Sequence, residues 1–346
     1  MRILQGLPFL SRSFCYHVPV IELFGTLGPA CRDQNTLIKM FQEGMTGMRL
    51  NLSHSGLKES EAMIRAYQEA AEKAGVQAEL LIDLQGPELR IGSLKEPLVL
   101  EDGTAISPEL LPFPSAVLDA LEEADHILLD DGKLELAVEA GSFRVLRGGW
   151  LESRKSIKIV NKDIPMPALT DADRENLALA MSYGVSAVMQ PFVRNARDLK
   201  EVREELHRNH ADSIRIFSKI ENRIGLVNLD EIISHSDMVV IARGDLGNDI
   251  PLPQLPGVQK DIAAACIRQN VPFLVVTQML TSMIKNPVPT RAEVSDIFNA
   301  VTDGASAVMV TNETAAGDHP VEVIRILHET TAAAEQWIRK KDSERF

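Results

Sequence analysis

Ser218-Lys219-Ile220-Glu221-Asn222 places a lysine two positions before a glutamate, directly after an apolar run. Ala242-Arg243-Gly244-Asp245 follows a second apolar run and ends in another carboxylate. Glu221 and Asp245 are hard oxygen donors suited to Mg2+ or Mn2+, ions that keep waters and take substrate oxygens as further ligands. Lys219 beside them can neutralise charge on a transferring phosphoryl group. Arg49 and Arg90 supply planar donor forks for phosphate or carboxylate. Gly244 would let the backbone N–H groups of its turn approach an anion closely. Asp83, Thr277-Gln278 and Thr311-Asn312-Glu313 stand at the ends of three further runs. The sequence contains no Walker loop and no protein-kinase motif, so phosphoryl chemistry would have to use these residues. Taken singly, any one of them is as well read as a solvated loop residue or a helix cap, and Arg-Gly-Asp or Gly-Pro alone is a weak signal.

What could bring them together is a repeated unit. Short apolar runs recur at Ile21–Gly25, Gly47–Leu52, Glu79–Leu84, Ser186–Gln190, Ile214–Ser218, Asp237–Ala242, Pro272–Thr277 and Ser306–Val310. Their length suits strands buried on both faces. Stretches with helical spacing separate most of them: Asn35–Glu43, Leu57–Ala74, Ala172–Tyr183, Ala196–Asn209, Gly257–Gln269, Arg291–Asp303 and Pro320–Ile338. Alternating strands and helices imply a parallel α/β sheet, and eight such units imply a closed (β/α)8 TIM barrel. An open doubly wound sheet is the alternative. In a barrel the reactive side chains collect where strands end, and the residues above all stand there.

The alternation breaks once. Between Gly92 and about Ile159, turn signals at Asp102-Gly103, Asp131-Gly132 and Arg147-Gly148-Gly149 punctuate short β-like pieces. This reads as a small β-rich domain over 93–159, inserted after the third strand of a barrel spanning 21–92 and 160–346. Residues 1–20 read as a weakly ordered extension without a signal-peptide h-region, and no later stretch is long and apolar enough to span a bilayer. A net charge of -13 argues against nucleic acid and anionic membranes as partners, although a locally basic site can still take an anion. Cys15, Cys31 and Cys266 are too few and too scattered for a disulfide framework or a cysteine-rich zinc site, which fits a reducing, cytoplasmic setting.

The ordered blocks resemble those of the pyruvate kinase family over about 20–335. They are Thr26-Leu27-Gly28-Pro29, Met48-Arg49-Leu50-Asn51-Leu52-Ser53-His54, Ser218-Lys219-Ile220-Glu221-Asn222, Ala242-Arg243-Gly244-Asp245-Leu246-Gly247, Thr277-Gln278-Met279-Leu280, Asn286 to Glu293 and Asn312-Glu313-Thr314-Ala315. The resemblance implies phosphoryl transfer from phosphoenolpyruvate to ADP, giving pyruvate and ATP. It implies Mg2+ (or Mn2+) on Glu221 and Asp245, and K+ among Asn51, Ser53, Asp83 and the Leu84 carbonyl. Lys219 then matches the lysine on the phosphoryl in flight and Arg49 the arginine on its phosphate side. The backbone of Ala242, Arg243, Gly244 and Asp245 matches the carboxylate cradle, with Arg90 a further anion contact. Thr277 matches the threonine near the carbon that is protonated, and Thr311 with Glu313 a proton route. Pro29 and His54 match the adenine pocket, while Asp131 and Lys155 in the insert are candidates for closing over ADP. A homo-oligomer is also compatible.

Several positions depart from the family pattern. The chain stops after the eighth helix, without the usual C-terminal regulatory domain, and the insert is shorter than usual. Ser156-Ile157-Lys158-Ile159-Val160-Asn161 replaces a G-V-N-L-P-G stretch, Leu84-Gln85 a Thr-Lys pair, and Thr311-Asn312 a Ser-Gly pair. Glu88 resembles the potassium-dependent members, and its charge beside an otherwise empty oxygen cage would call for a monovalent cation. Two other readings follow from these departures: a C–C lyase acting on phosphoenolpyruvate or pyruvate, and a weakly catalytic metabolite-binding homologue.

Overall fold

The computed structural model describes residues 21–344 apart from 131, 161, 163 and 165; the readings made for residues 1–20 and for Asp131 lie outside the described residues. Eight parallel strands close into a barrel: Glu22–Thr26, Gly47–Asn51, Glu79–Asp83, Ala187–Gln190, Arg215–Ile220, Met238–Ala242, Phe273–Val276 and Ala307–Met309, here strands one to eight. Strand one pairs with strand eight at Glu22↔Ala307 and with strand two at Phe24↔Gly47, so no edge is left open. Each strand falls within two residues of its apolar run. Among the described residues no helix is long and apolar enough to cross a membrane.

Side-chain alternation explains why polar groups gather at one end. Successive residues of a strand point to opposite faces, so positions two apart share the barrel interior. Phe24, Leu81, Ala187, Phe217, Val240, Leu274 and Ala307 belong to one fully buried interior cluster. Strand two contributes Gly47 at this level; a Cβ there would lie 2.6 Å from the Phe24 ring, so glycine makes room for it. Two positions further along the same inner faces come Thr26, Arg49, Asp83 and Lys219. Two positions back come Glu22, Glu79 and Arg215, and an Arg215–Glu79 ion pair sits at the base. The barrel interior is therefore an apolar plug between two charged rings, and the ring at the strand C-termini is the one that faces the loops.

The surrounding helices form where the spacing predicts them, and two begin with reciprocal caps. Thr170 caps Asp171–Leu179 together with Asp173, and Thr290 caps Arg291–Thr302 together with Glu293. The last helix runs further than the apolar pattern suggests, Pro320–Ser343, because pairs such as Arg339–Glu335 carry its polar end.

Between strands three and four lies a separate set of antiparallel strands with its own buried cluster, including Leu100, Val117, Leu129, Leu136, Phe143 and Val145. Five strands run in the order Ile157–Ile159, His126–Leu129, Leu134–Glu139, Ser142–Arg147, Ala105–Ile106, beside a pair formed by Leu98–Leu100 and Gly149–Leu151. The chain enters and leaves this unit side by side, with Arg90 bridged to Ser156.

Asp173 ties the exit of strand three to the barrel. Its carboxylate accepts from the backbone N–H of Gln85 at 2.8 Å and of Gly86 at 3.1 Å, and from the N–H and hydroxyl of Thr170 at 2.9 and 2.7 Å. Asp173→Ala leaves those donors unmatched in a fully buried site. The expected loss is on the order of 3 kcal/mol in urea unfolding. A loss below about 1 kcal/mol would show that water replaces the carboxylate there.

Candidate active site at the strand C-termini

The inner-face residues of strands two, three and five meet in one buried charge cluster. Arg49 donates from Nε to Asp83 Oδ2 at 2.8 Å, with its terminal nitrogen 2.7 Å away. Lys219 Nζ lies 3.3 Å from both Asp83 oxygens and 2.8 Å from Glu221 Oε1. Asp83 and Glu221 are almost wholly buried. Burial works against the charge of Lys219, but Asp83 and Glu221 outweigh it and hold the ammonium above the ordinary lysine range. The same two cations keep the Asp83 carboxyl below its ordinary value despite burial. Glu221 goes the other way: burial, with Asp245 and Asp83 nearby, outweighs Lys219 and pushes it up to about 7.

Two buried polar atoms here have no hydrogen-bond partner. Glu221 Oε1 contacts Lys219 as an ion pair without hydrogen-bond alignment, while its Oε2 accepts from the Phe192 backbone at 2.8 Å. Thr277 Oγ1 is the other. Orphaned buried acceptors and hydroxyls are rare, and at a cleft they mark where a ligand belongs. Glu221 and Asp245 line one cavity beneath the insert. No group of three or more His, Cys, Asp or Glu suited to a metal occurs among the described residues. Glu221 and Asp245 are hard carboxylate donors whose number fits a cation that completes its shell with water or substrate, rather than one caged by protein. A Cβ at Gly244 would meet Thr277 at 3.6 to 4.0 Å, an ordinary contact, so the fold leaves room for a side chain at that point.

A cleft of about 590 Å³, large enough for a small metabolite, collects most of the residues picked out from sequence. Arg49, Asn51, Ser53, Asp83, Leu84, Arg90, Lys219, Gly244, Asp245, Thr277, Thr311 and Glu313 line it. Ala242 is buried in the barrel interior just below, and the Arg243 side chain points elsewhere, onto the end of strand seven. Glu313 accepts from Thr311 N–H and hydroxyl at 2.7 and 3.1 Å and from Leu280 N–H at 3.3 Å, so it braces two rim loops. Pro29 and His54 are exposed on the neighbouring loops after strands one and two, outside the cleft lining. Lys155 lies in the insert, 3.1 Å from Asp130 and 3.2 Å from Glu152. Glu88 is ion-paired with Arg90. Its charge is therefore already matched within the chain and, contrary to expectation, does not call for a cation.

Sequence reasoning missed three contributions. Phe192 supplies a backbone N–H to Glu221, which no residue type advertises. Asn248 and Lys133 reach the cleft from a short helix and from the insert. Ala242-Arg243-Gly244-Asp245, read as the end of a strand, leads into a helix over Arg243–Asp249 too short to show a periodic pattern.

A closed parallel barrel with a lysine, an arginine and paired carboxylates at its strand C-termini is a (β/α)8 protein of the enzyme type. The pyruvate kinase barrel-domain model matches residues 19–324, and the chain belongs to that family. It is 36% identical over 336 residues to the pyruvate kinase of Geobacillus stearothermophilus, covering 92% of this chain and 57% of that one. It is 38% identical over 331 residues to that of Methylorubrum extorquens, covering 91% and 68%. For Staphylococcus saprophyticus the identity is 35% over 328 residues, with 90% and 56% covered. The chain thus spans little more than half the length of two of these three relatives.

The raised Glu221 carboxyl has a thermodynamic signature. In metal-free protein the folded state holds a proton there that the unfolded chain releases near 4.5. Folding stability should therefore fall by up to a few kcal/mol as pH rises from 4.5 to about 7, at a slope of about 1.4 kcal/mol per pH unit. Glu221→Gln should flatten that part of the profile. Melting temperatures with chelator, read across the window for both proteins, test this, and parallel profiles would remove Glu221 as the cause.

Proposed function

We propose that the chain is a phosphotransferase that moves the phosphoryl group of phosphoenolpyruvate to ADP, giving pyruvate and ATP. The observation that carries the reading is Lys219, held charged and buried between Asp83 and Glu221 at the edge of a cleft suited to a small anion. The phosphoenolpyruvate P–O bond breaks, a bond to the ADP phosphate oxygen forms, and the enolate left behind takes a proton at C3. Little of this requires covalent help from protein; charge cancellation and alignment dominate.

Lys219 and Arg49 would face the phosphoryl oxygens as negative charge moves across them. The backbone N–H groups of Arg243, Gly244 and Asp245 would receive the substrate carboxylate. Thr277 would stand at the carbon that is protonated, with Thr311 and Glu313 supporting proton delivery. Mg2+ or Mn2+, held by Glu221 and Asp245, would supply Lewis-acid polarisation of the substrate oxygens. The insert, read as a domain over 93–159, would close over ADP and exclude water, with Pro29 and His54 on the adenine side and Lys155 and Asp131 as the insert's candidate contacts to ADP.

Asn51, Ser53, Asp83 and the Leu84 carbonyl would form the K+ site. In KCl the rate should exceed that in tetramethylammonium chloride at equal ionic strength. Equal rates would assign the charge of Asp83 wholly to Arg49 and Lys219.

The central test is Lys219→Met, assayed for pyruvate from phosphoenolpyruvate and ADP with Mg2+. Transfer should fall by about a hundred- to a thousand-fold, the usual cost of removing one charge stabiliser. Exchange of the pyruvate C3 protons with solvent should persist, since it does not need the phosphoryl group. Near-normal transfer by the variant would remove Lys219 from this role.

A further inference from the structure

The end of strand seven is strained. Thr277 has φ 76° and Gln278 φ 55°, a left-handed conformation that a β-branched residue rarely adopts and that costs on the order of 1–3 kcal/mol. Such a conformation persists only where surrounding contacts over-determine it. Those contacts come chiefly from one side chain. Arg243 donates from a terminal nitrogen to the Thr277 carbonyl at 2.5 Å and from Nε to the Val276 carbonyl at 3.3 Å. Its other terminal nitrogen is 2.8 Å from Asp296, on the helix Arg291–Thr302, and 3.4 Å from Gln259. The same guanidinium touches the Met279 sulfur at 2.8 Å. Arg243 thus grips the peptide groups on both sides of Thr277 while Asp296 fixes the grip.

We infer that the Arg243 side chain, locked by Asp296, is a positioning group that holds Thr277 in its left-handed conformation and so aims its hydroxyl at the reacting carbon. This rests on the activity proposed above and adds a side-chain role to a residue otherwise read only for its backbone. The Thr277 hydroxyl is buried without a partner, and the position a Cβ would take at Gly244 is 4.0 Å from it. The Thr277 methyl at 3.6 Å and the hydroxyl at 4.0 Å both border the point beside the Gly244 backbone, where the substrate carboxylate would rest. A relaxed Thr277 would turn its hydroxyl away from that point, and proton delivery would suffer while anion binding remained.

Arg243→Lys keeps a cation for Asp296 but cannot bridge two carbonyls and a carboxylate at once. In its crystal structure residue 277 should return to negative φ. The rate of pyruvate C3 proton exchange should fall by about ten- to a hundred-fold, as for a group displaced by about an ångström. The KM for phosphoenolpyruvate should change little, whereas a merely structural lesion would raise it along with the loss of rate. Asp296→Asn, a milder change that keeps an acceptor for Arg243, should show the same split with a smaller loss and guards against a variant that does not fold. Residue 277 remaining at positive φ in both variants would overturn the inference, as would relaxed φ with unchanged exchange. Absence of exchange in the parent chain would instead count against the activity reading, leaving the clamp to stand or fall on φ alone.

Discussion

The rim of this barrel depends on buried opposite charges whose balance is set by strand alternation. Lys219 cannot be ionised in an apolar interior alone; Asp83 and Glu221 make it possible, and Arg49 in turn offsets Asp83. Removing any one member leaves an uncompensated charge out of reach of water, which costs more than the pair itself contributes. The apolar layer below, from Phe24 to Ala307, supplies the low dielectric that makes these interactions strong. The cluster retains one imbalance, at Glu221, where Lys219 does not outweigh burial and the neighbouring carboxylates. Glu221 is thus the one member of the cluster whose charge its neighbours do not fully support.

Much of this architecture is legible in the residues. Each strand run announces itself because it is buried on both faces and therefore mostly apolar, with exceptions near its ends, as at Glu22, Asn51, Asp83 and Arg215. The rim residues are legible because a charged residue directly after such a run has few places to go except the barrel mouth. The short helices Arg223–Val227, Leu229–Ile233 and Asn312–Ala315 are not, since one or two turns carry too few apolar positions to show a period. Pairings across long separations are also hidden. Nothing near Arg243 names Asp296 as its partner, and nothing near Gln85 names Asp173 as the acceptor for its N–H. Glu88 illustrates the converse: its charge is plain in the sequence, but not its partner, because Arg90, two residues on, folds back onto it.

A polar contact links the insert to the barrel. Lys158, within the stretch that departs from the family pattern, pairs with Asp249 at 2.5 Å, and Asp249 also accepts from the Arg223 backbone. Asp249 ends the same short helix that begins with Arg243 and carries Asp245. One helix of seven residues therefore joins the strained end of strand seven, a carboxylate of the cleft and the underside of the insert. An ion pair at such a boundary yields readily to competing charges, in contrast to the apolar layers on either side of it.

The placement of the insert also bears on how the chain reaches this state. Strands three and four are neighbours in the barrel, yet Leu80 and Ser186 are 106 positions apart. Pairing them early would require closing a loop of that length, and loop entropy weighs against contacts that arrive late in sequence. The insert has its own apolar cluster and its own antiparallel ladders, and those joining His126–Leu129, Leu134–Glu139 and Ser142–Arg147 are between adjacent segments. Once those form, the Arg90–Ser156 bridge brings the two ends of the segment together, and what remains before strand four is the stretch that carries the helix Asp171–Leu179. The extra unit that interrupts the barrel thus acts as a splint: when folded, it shortens the detour that ring closure must span.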